Sequence, residues 1–153
     1  MQINTHCRDV AFDRRRGVDS SRVLIVGTDH SVCDEVAGTI QTLDGLEIRC
    51  AYCADVALRV ATEFLPGFVF LDSDGVDLDC YRLASVLHQR AGLYEARIIG
   101  LTKEIATMDR QAALSAGFEQ FLTLPLQQAA LDAVLTRKSH RGPERHRTYM
   151  QPG

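Results

Sequence analysis

Residues 68–71, Phe-Val-Phe-Leu, form an unbroken apolar run that stops at Asp72. A strand can be apolar at every position only where both of its faces are covered, as in a parallel sheet flanked by helices. The run therefore predicts a central strand and places Asp72 at its carboxyl end, the edge where open α/β sheets hold their ligands. Asp74, Asp77 and Asp79 follow within seven residues of Asp72. Like charges packed this closely need a cation, a structural purpose or open water. A solvated acidic strand-to-helix loop meets the same description.

Other segments supply the partners such a strand requires. Residues 22–26 are a β-branched run ending at Gly27, a first strand. Ser31 is placed to cap a helix in which Val32, Val36 and Ile40 recur every fourth residue. After the Asp44-Gly45 turn, residues 46–51 alternate Leu46, Ile48 and Cys50 inward as a second strand. Val56, Val60 and Phe64 then mark a helix that ends before Pro66. Asp79 caps a third helix carrying Leu83, Val86 and Leu87, closed by Gly92. Residues 97–101 form strand four, residues 105–116 a fourth helix closed by Gly117, residues 119–123 strand five and residues 126–137 the last helix. Five alternations of strand and helix predict an α/β fold with a five-stranded parallel, doubly wound sheet.

Charge divides the chain into three parts. Eight basic against 16 acidic residues leave the span 21–136 at −8, while the flanks, with 9 basic and 4 acidic residues, stand at +5 within a net charge of −3. We expect residues 1–20 to be a basic flexible extension, 21–138 the folded domain and 139–153 a basic flexible tail. No aromatic residue interleaves Arg14, Arg15 and Arg16, so nucleic acid is not the expected partner. No apolar run approaches the ~20 residues that span a bilayer, and the first twenty residues lack the apolar stretch of a signal peptide, so no membrane association and a cytoplasmic address are expected.

The five cysteines, Cys7, Cys33, Cys50, Cys53 and Cys80, are odd in number and irregular in spacing, which argues against a disulfide framework. Cys50 and Cys53 form a C-x-x-C, but no second pair completes a zinc site and a buried apolar role is expected for Cys50. The histidines, His6, His30, His88, His140 and His146, lack metal-ligand spacing and read as surface or loop residues.

In order and spacing these segments resemble the receiver domain of bacterial two-component response regulators. The marks are the apolar strand ending at Asp72, then Asp79-Cys80-Tyr81 where that family has Asp-Gly-Phe or Asp-Gly-Tyr, then Ile98-Ile99-Gly100-Leu101-Thr102. Residues 116–125, Ala-Gly-Phe-Glu-Gln-Phe-Leu-Thr-Leu-Pro, look like the family's Ala-Gly-Ala-x-x-Tyr-Leu-x-Lys-Pro segment. The resemblance implies a flavodoxin-like (βα)5 fold with strand order 2-1-3-4-5. It makes Asp72 the phospho-acceptor in a phosphorelay, Thr102 the hydroxyl that contacts the phosphoryl group and Phe121 the switch aromatic. It also implies signalling partners, a histidine kinase or a downstream effector, and a homodimer through the face of the fourth helix, fifth strand and fifth helix. Arg110, Gln111, Glu119, Gln120, Gln127 and Gln128 would lie on that face, which reads as polar. No DNA-binding segment is recognised after residue 138, so output is expected through a bound protein or the tails.

The chain departs from the family's pattern where the chemistry is most demanding. A carboxylate that attacks a phosphoryl group needs a divalent cation to offset charge on both partners. The family's acidic pair after strand one is replaced by Gly27 and Thr28, its lysine before the proline by Leu124, and its proline and glycine after the acceptor by Val76 and Asp77. Phe121 lacks the tyrosine hydroxyl. The reading that follows is a degenerate stand-alone receiver, not an enzyme, that acts mainly as a protein-docking module with weak or no phosphorylation at Asp72. The alternative is a phosphorylatable receiver in which Asp29, Asp72 and Asp74 gather magnesium and Lys103 replaces the lost lysine. Residues 69–76 also look like the first motif of haloacid-dehalogenase-type phosphatases, with Asp72 as nucleophile and Asp74 as general acid. That family needs a later lysine, and Leu124 offers nothing.

Overall fold

Apolar patterning decides where each strand sits. Strands with every residue buried lie inside the sheet, and the edge strands keep exposed positions. In the computed structural model, which describes residues 17–75, 78–90 and 93–136, the strands are β1 (Asp19–Val26), β2 (Glu47–Ala51), β3 (Pro66–Asp72), β4 (Arg97–Thr102) and β5 (Phe118–Thr123). All are parallel, in the order β2-β1-β3-β4-β5. Every residue of β3 and β4 is buried, whereas the edge strand β2 alternates exposed and half-buried positions before ending at buried Ala51. This is the predicted fold and strand order.

The helices are α1 (His30–Ile40), α2 (Ala54–Phe64), α3 (Cys80–Gln89), α4 (Arg110–Ala116) and α5 (Gln128–Thr136). Successive side chains of a strand face opposite sides of the sheet, and two apolar clusters result. Leu24, Val26, Val69, Leu71 and Ile98 pack with Ala57 and Ala61 of α2 and with Leu83, Ala84 and Leu87 of α3. Val23, Ile25, Phe68, Phe70, Ile99 and Leu101 pack with Val36 and Ile40 of α1 and Leu131 and Val134 of α5. Burial of each Val, Leu, Ile or Phe among them contributes roughly 1.5–3 kcal/mol, so both faces of the sheet hold the fold.

Several boundaries differ from the sequence reading, each for a local reason. β1 starts at Asp19, so Asp19 and Ser20 belong to the sheet rather than to a flexible extension; Asp19 pairs with Pro66. The close approach there explains Gly67, where a Cβ would lie 2.6 Å from the Ser20 backbone. Asp29, not Ser31, caps α1: its carboxylate accepts from the backbone N–H of Ser31 at 3.0 Å and from the Ser31 hydroxyl at 2.8 Å. The predicted fourth helix is broken. Ile105–Thr107 is a single 3-10 turn, and α4 begins only at Arg110, capped by Asp109. Gly117 closes α4 in the left-handed region (φ 105°), as predicted, and Asp79 caps α3 through the N–H of Arg82. Gly92, Val76 and Asp77 lie outside the described residues, as do 1–16 and 137–153.

Two side chains that read as surface residues are structural. His88 is half-buried, with its Nε2 3.2 Å from the Ala96 carbonyl. Glu119 pairs with the guanidinium of buried Arg97, which also donates to the Val134 carbonyl at 3.2 Å and lies over the Phe68 ring. Among the described residues no helix is long and apolar enough to cross a membrane.

Candidate functional site at the carboxyl edge of the sheet

Because the strands are parallel, the ends of β1, β3, β4 and β5 meet on one edge, and the loops that follow them build the site. Asp72 closes β3 and is only 4% exposed. Burial pushes its carboxyl above the usual carboxylate range, against the hydrogen bond from Asp74, whose backbone N–H donates to Asp72 Oδ1 at 3.1 Å. Beneath it lies the end of β1. A Cβ on Gly27 would meet Asp72 Cβ at 2.9 Å, so no side chain fits there without displacing Asp72. The Cys33 thiol fills the space beside Gly27 and donates to its carbonyl at 3.5 Å. Thr28, half-buried, faces Gly75 across the mouth: a Cβ on Gly75 would lie 2.9 Å from its hydroxyl.

The end of β4 supplies hydrogen-bond donors. Thr102 is buried, and its hydroxyl donates to Asp74 Oδ1 at 3.0 Å while accepting from the Glu104 backbone N–H at 3.1 Å. The backbone N–H of Lys103 donates to Asp74 Oδ2 at 2.8 Å. One carboxylate thus bridges two donors, the last residue of β4 and the first residue after it, and ties the β3 loop to the β4 loop. Ser73 adds a second tie, with both its N–H and its hydroxyl donating to the Leu101 carbonyl at 2.9 Å.

The end of β5 contributes no charge. Leu124 is 8% exposed and belongs to the apolar cluster on the α1 and α5 side, and its N–H donates to the Thr102 carbonyl at 2.8 Å. The Leu124–Pro125 bond is cis. Phe121 is half-buried over β4: a Cβ on Gly100 would sit 2.2 Å from its ring, so Gly100 is the seat the ring requires. The Phe118 ring lies tilted against it at a centroid distance of 4.7 Å. A glycine inside a strand marks close approach, a signal present in the sequence at Gly100.

The three carboxylates expected to hold magnesium fit a cation poorly as arranged. Asp29 is engaged in its helix cap, with its carboxyl held below the usual range chiefly by the Ser31 hydroxyl, and both oxygens of Asp74 accept hydrogen bonds. Among the described residues no three Asp, Glu, His or Cys side chains are gathered within reach of one metal ion. The C-x-x-C fits redox chemistry no better. Burial raises the Cys50 thiol, which disfavours the reactive thiolate, and Cys33 and Cys80 are pushed up to about 12 and about 11 by the same cause.

Beyond this edge, the face formed by α4, β5 and α5 is less polar than the sequence suggested. A shallow groove of about 240 Å³ has Ile105, Met108, Leu114, Phe118 and Phe121 along it, with Arg110, Glu119 and Gln120 contributing polar groups to its lining. Leu114 is 61% exposed. Arg110, Gln111, Gln127 and Gln128 are exposed, whereas Gln120 and Glu119 are half-buried.

Comparison with known proteins agrees with this architecture. Residues 23–136 match the model of the response regulator receiver domain. The transcriptional regulatory protein PrrA of Mycobacterium leprae is 33% identical over 117 residues, which are 76% of this chain and 49% of PrrA. The chain thus spans about half the length of that relative. Among solved structures, the receiver domain of the sensor histidine kinase PA1611 from Pseudomonas aeruginosa, with a magnesium ion in its active-site cleft, superposes with a TM-score of 0.67 at 22% identity, covering 76% of this chain and 94% of that one. The receiver domain of the Saccharomyces cerevisiae response regulator Ssk1, solved with the phosphotransfer protein Ypd1, superposes with a TM-score of 0.64 at 20% identity, covering 80% and 88%. With strand order and family model in accord, the chain belongs to the response regulator receiver domains of two-component signalling.

Proposed function

We propose that this receiver works mainly as a protein-docking module whose output is largely independent of phosphorylation at Asp72. The observation that carries the reading is the apolar end of β5. Leu124, buried in the core, stands where the family's phosphoryl-pairing lysine would be. Transfer of a phosphoryl group to a buried carboxylate places negative charge beside negative charge, and cationic partners are what offset it. Gly27 removes a second source of help, since an acidic side chain at that position would collide with Asp72. The hydroxyl and N–H at the end of β4 are engaged with Asp74 rather than open to an incoming phosphoryl oxygen.

Docking would use the Ile105–Leu114–Phe121 groove, for a signalling protein or a second copy of the chain. The direct test is incubation of the full chain with acetyl phosphate and magnesium, read by intact mass and by borohydride trapping at Asp72. The expected result is no stable acyl phosphate, and partner capture from a lysate that is the same for the wild type and Asp72→Asn. Rapid, stoichiometric labelling of Asp72 overturns the reading.

A second reading draws on the buried Asp72 and on the magnesium in the PA1611 receiver cleft. Here Asp29, Asp72 and Asp74 rearrange around magnesium, and Lys103 serves as the cation. It requires Asp74 to leave Thr102 and Asp29 to leave its cap, so metal binding would be weak and would shift the Ser31 and Lys103 amides together. A phosphatase reading draws no support from the site, since Asp74, its supposed acid, is an acceptor of two hydrogen bonds.

A further inference from the structure

The Asp74 carboxylate sits where the end of β4 presents two convergent donors. The Thr102 hydroxyl is 3.0 Å from one of its oxygens and the Lys103 N–H 2.8 Å from the other. A bidentate anion on two such donors is a stronger tie than a neutral hydrogen bond. The tie has consequences further along the chain. Thr102 also accepts from Glu104 at 3.1 Å, so residues 102–104 are fixed as a unit immediately before the 3-10 turn Ile105–Thr107. Ile105 and Phe121 line the same groove, and Phe121 rests on Gly100, two residues before Thr102 on β4. Anchoring the end of β4 therefore anchors both walls of the groove.

We propose that Asp74 is a built-in anion that occupies the Thr102–Lys103 donor pair and, through it, holds the Ile105–Phe121 groove in one fixed shape without any added phosphoryl group. This deepens the docking reading and rests on it. The chain supplies from its own β3 loop the negative charge that another receiver would acquire, so the docking surface is set permanently rather than switched. The charge is in place because Asp74 is held from both sides: its N–H is tied to Asp72 Oδ1, and its carboxylate to β4.

The test uses the full-length chain labelled with 15N, with Asp74→Asn and Asp74→Ala as variants and no phosphodonor present. Asn keeps the shape but loses the charge and one acceptor, and Asp74 is exposed, so folding is checked simply by circular dichroism. The expected result is amide hydrogen exchange at Lys103 faster by about tenfold or more in both variants. The Ile105 and Phe121 resonances should shift with it, while those of α1 stay in place. Unchanged Lys103 exchange, or a Lys103 change with Ile105 and Phe121 unmoved, overturns the proposal. Because no phosphodonor is used, this failure is separate from that of the docking reading, which falls on rapid labelling of wild-type Asp72.

Discussion

The ends of β3 and β5 lie on one edge of one sheet, equally hidden from solvent, and carry opposite chemistry. β3 ends in a carboxylate, Asp72, and β5 runs into an aliphatic side chain, Leu124. On the proposed reading, the contrast teaches that a buried carboxylate needs a cationic partner to become a phosphorylation site. Burying Asp72 raises its carboxyl, which costs stability at neutral pH, and that cost is useful only if a cation or phosphoryl group exploits it. At the end of β5, one strand beyond β4, the position where the family resemblance puts such a cation holds Leu124, a core residue. On that proposed reading, Asp72 keeps one half of the machinery and Leu124 has turned the other half into packing.

The largest expected effect lies between the two ends. Gly100→Ala places a methyl group against the Phe121 ring and should destabilise the fold by about 3 kcal/mol, read as the urea midpoint. Adding Phe121→Ala should relieve the clash, and a strictly additive pair would contradict the account of Gly100 as the ring's seat.

Next comes the apolar end itself. Leu124→Ala should cost about 2 kcal/mol or more, whereas Leu124→Met should cost less than about 1.5. Leu124→Lys sharpens the comparison. It should lose stability like the alanine variant and still leave Asp72 unlabelled by acetyl phosphate, because Gly27 and Asp74 are unchanged. Restored labelling by this single change would show that the lysine alone was missing.

A smaller effect of opposite sign is expected at Asp72. Its folded-state pKa is raised above the ordinary 3.8, so the protonated form is favoured by folding and stability is lost as pH rises through the folded value. Asp72→Asn should therefore raise the melting temperature at pH 7, with the gain vanishing below pH 3.8, where both states are protonated. A gain that persists in acid would point to packing rather than charge. The smallest effect belongs to Asp29→Ala, which loses the helix cap and with it a nearby negative charge that helps raise the Asp72 carboxyl, so stability falls slightly and the Asp72 titration shifts slightly downward.

What could be read from the sequence was local. The four apolar residues before Asp72 identified the central strand because length and continuity leave few alternatives, and Asp79 and Gly117 announced their caps by residue type. Asp29 and Ser31 are both good cap formers two residues apart, and only the backbone conformation at Asp29 decides between them. The helical periodicity from Ile105 onward concealed the break at Met108 and Asp109. The pairs that define the site were not legible, since Asp74 meets Thr102 across 28 residues and Arg97 meets Glu119 across 22. Spacing along a chain carries no signal for contacts that the sheet order creates.

The most direct measurement is a calorimetric titration of magnesium into the purified chain, with and without beryllofluoride, for the wild type and Asp72→Asn. The account predicts no saturable heat at millimolar metal in either protein, and no gain from beryllofluoride. Saturable binding in the wild type that is strengthened by beryllofluoride and lost in Asp72→Asn would contradict it and show a working phosphorylation site.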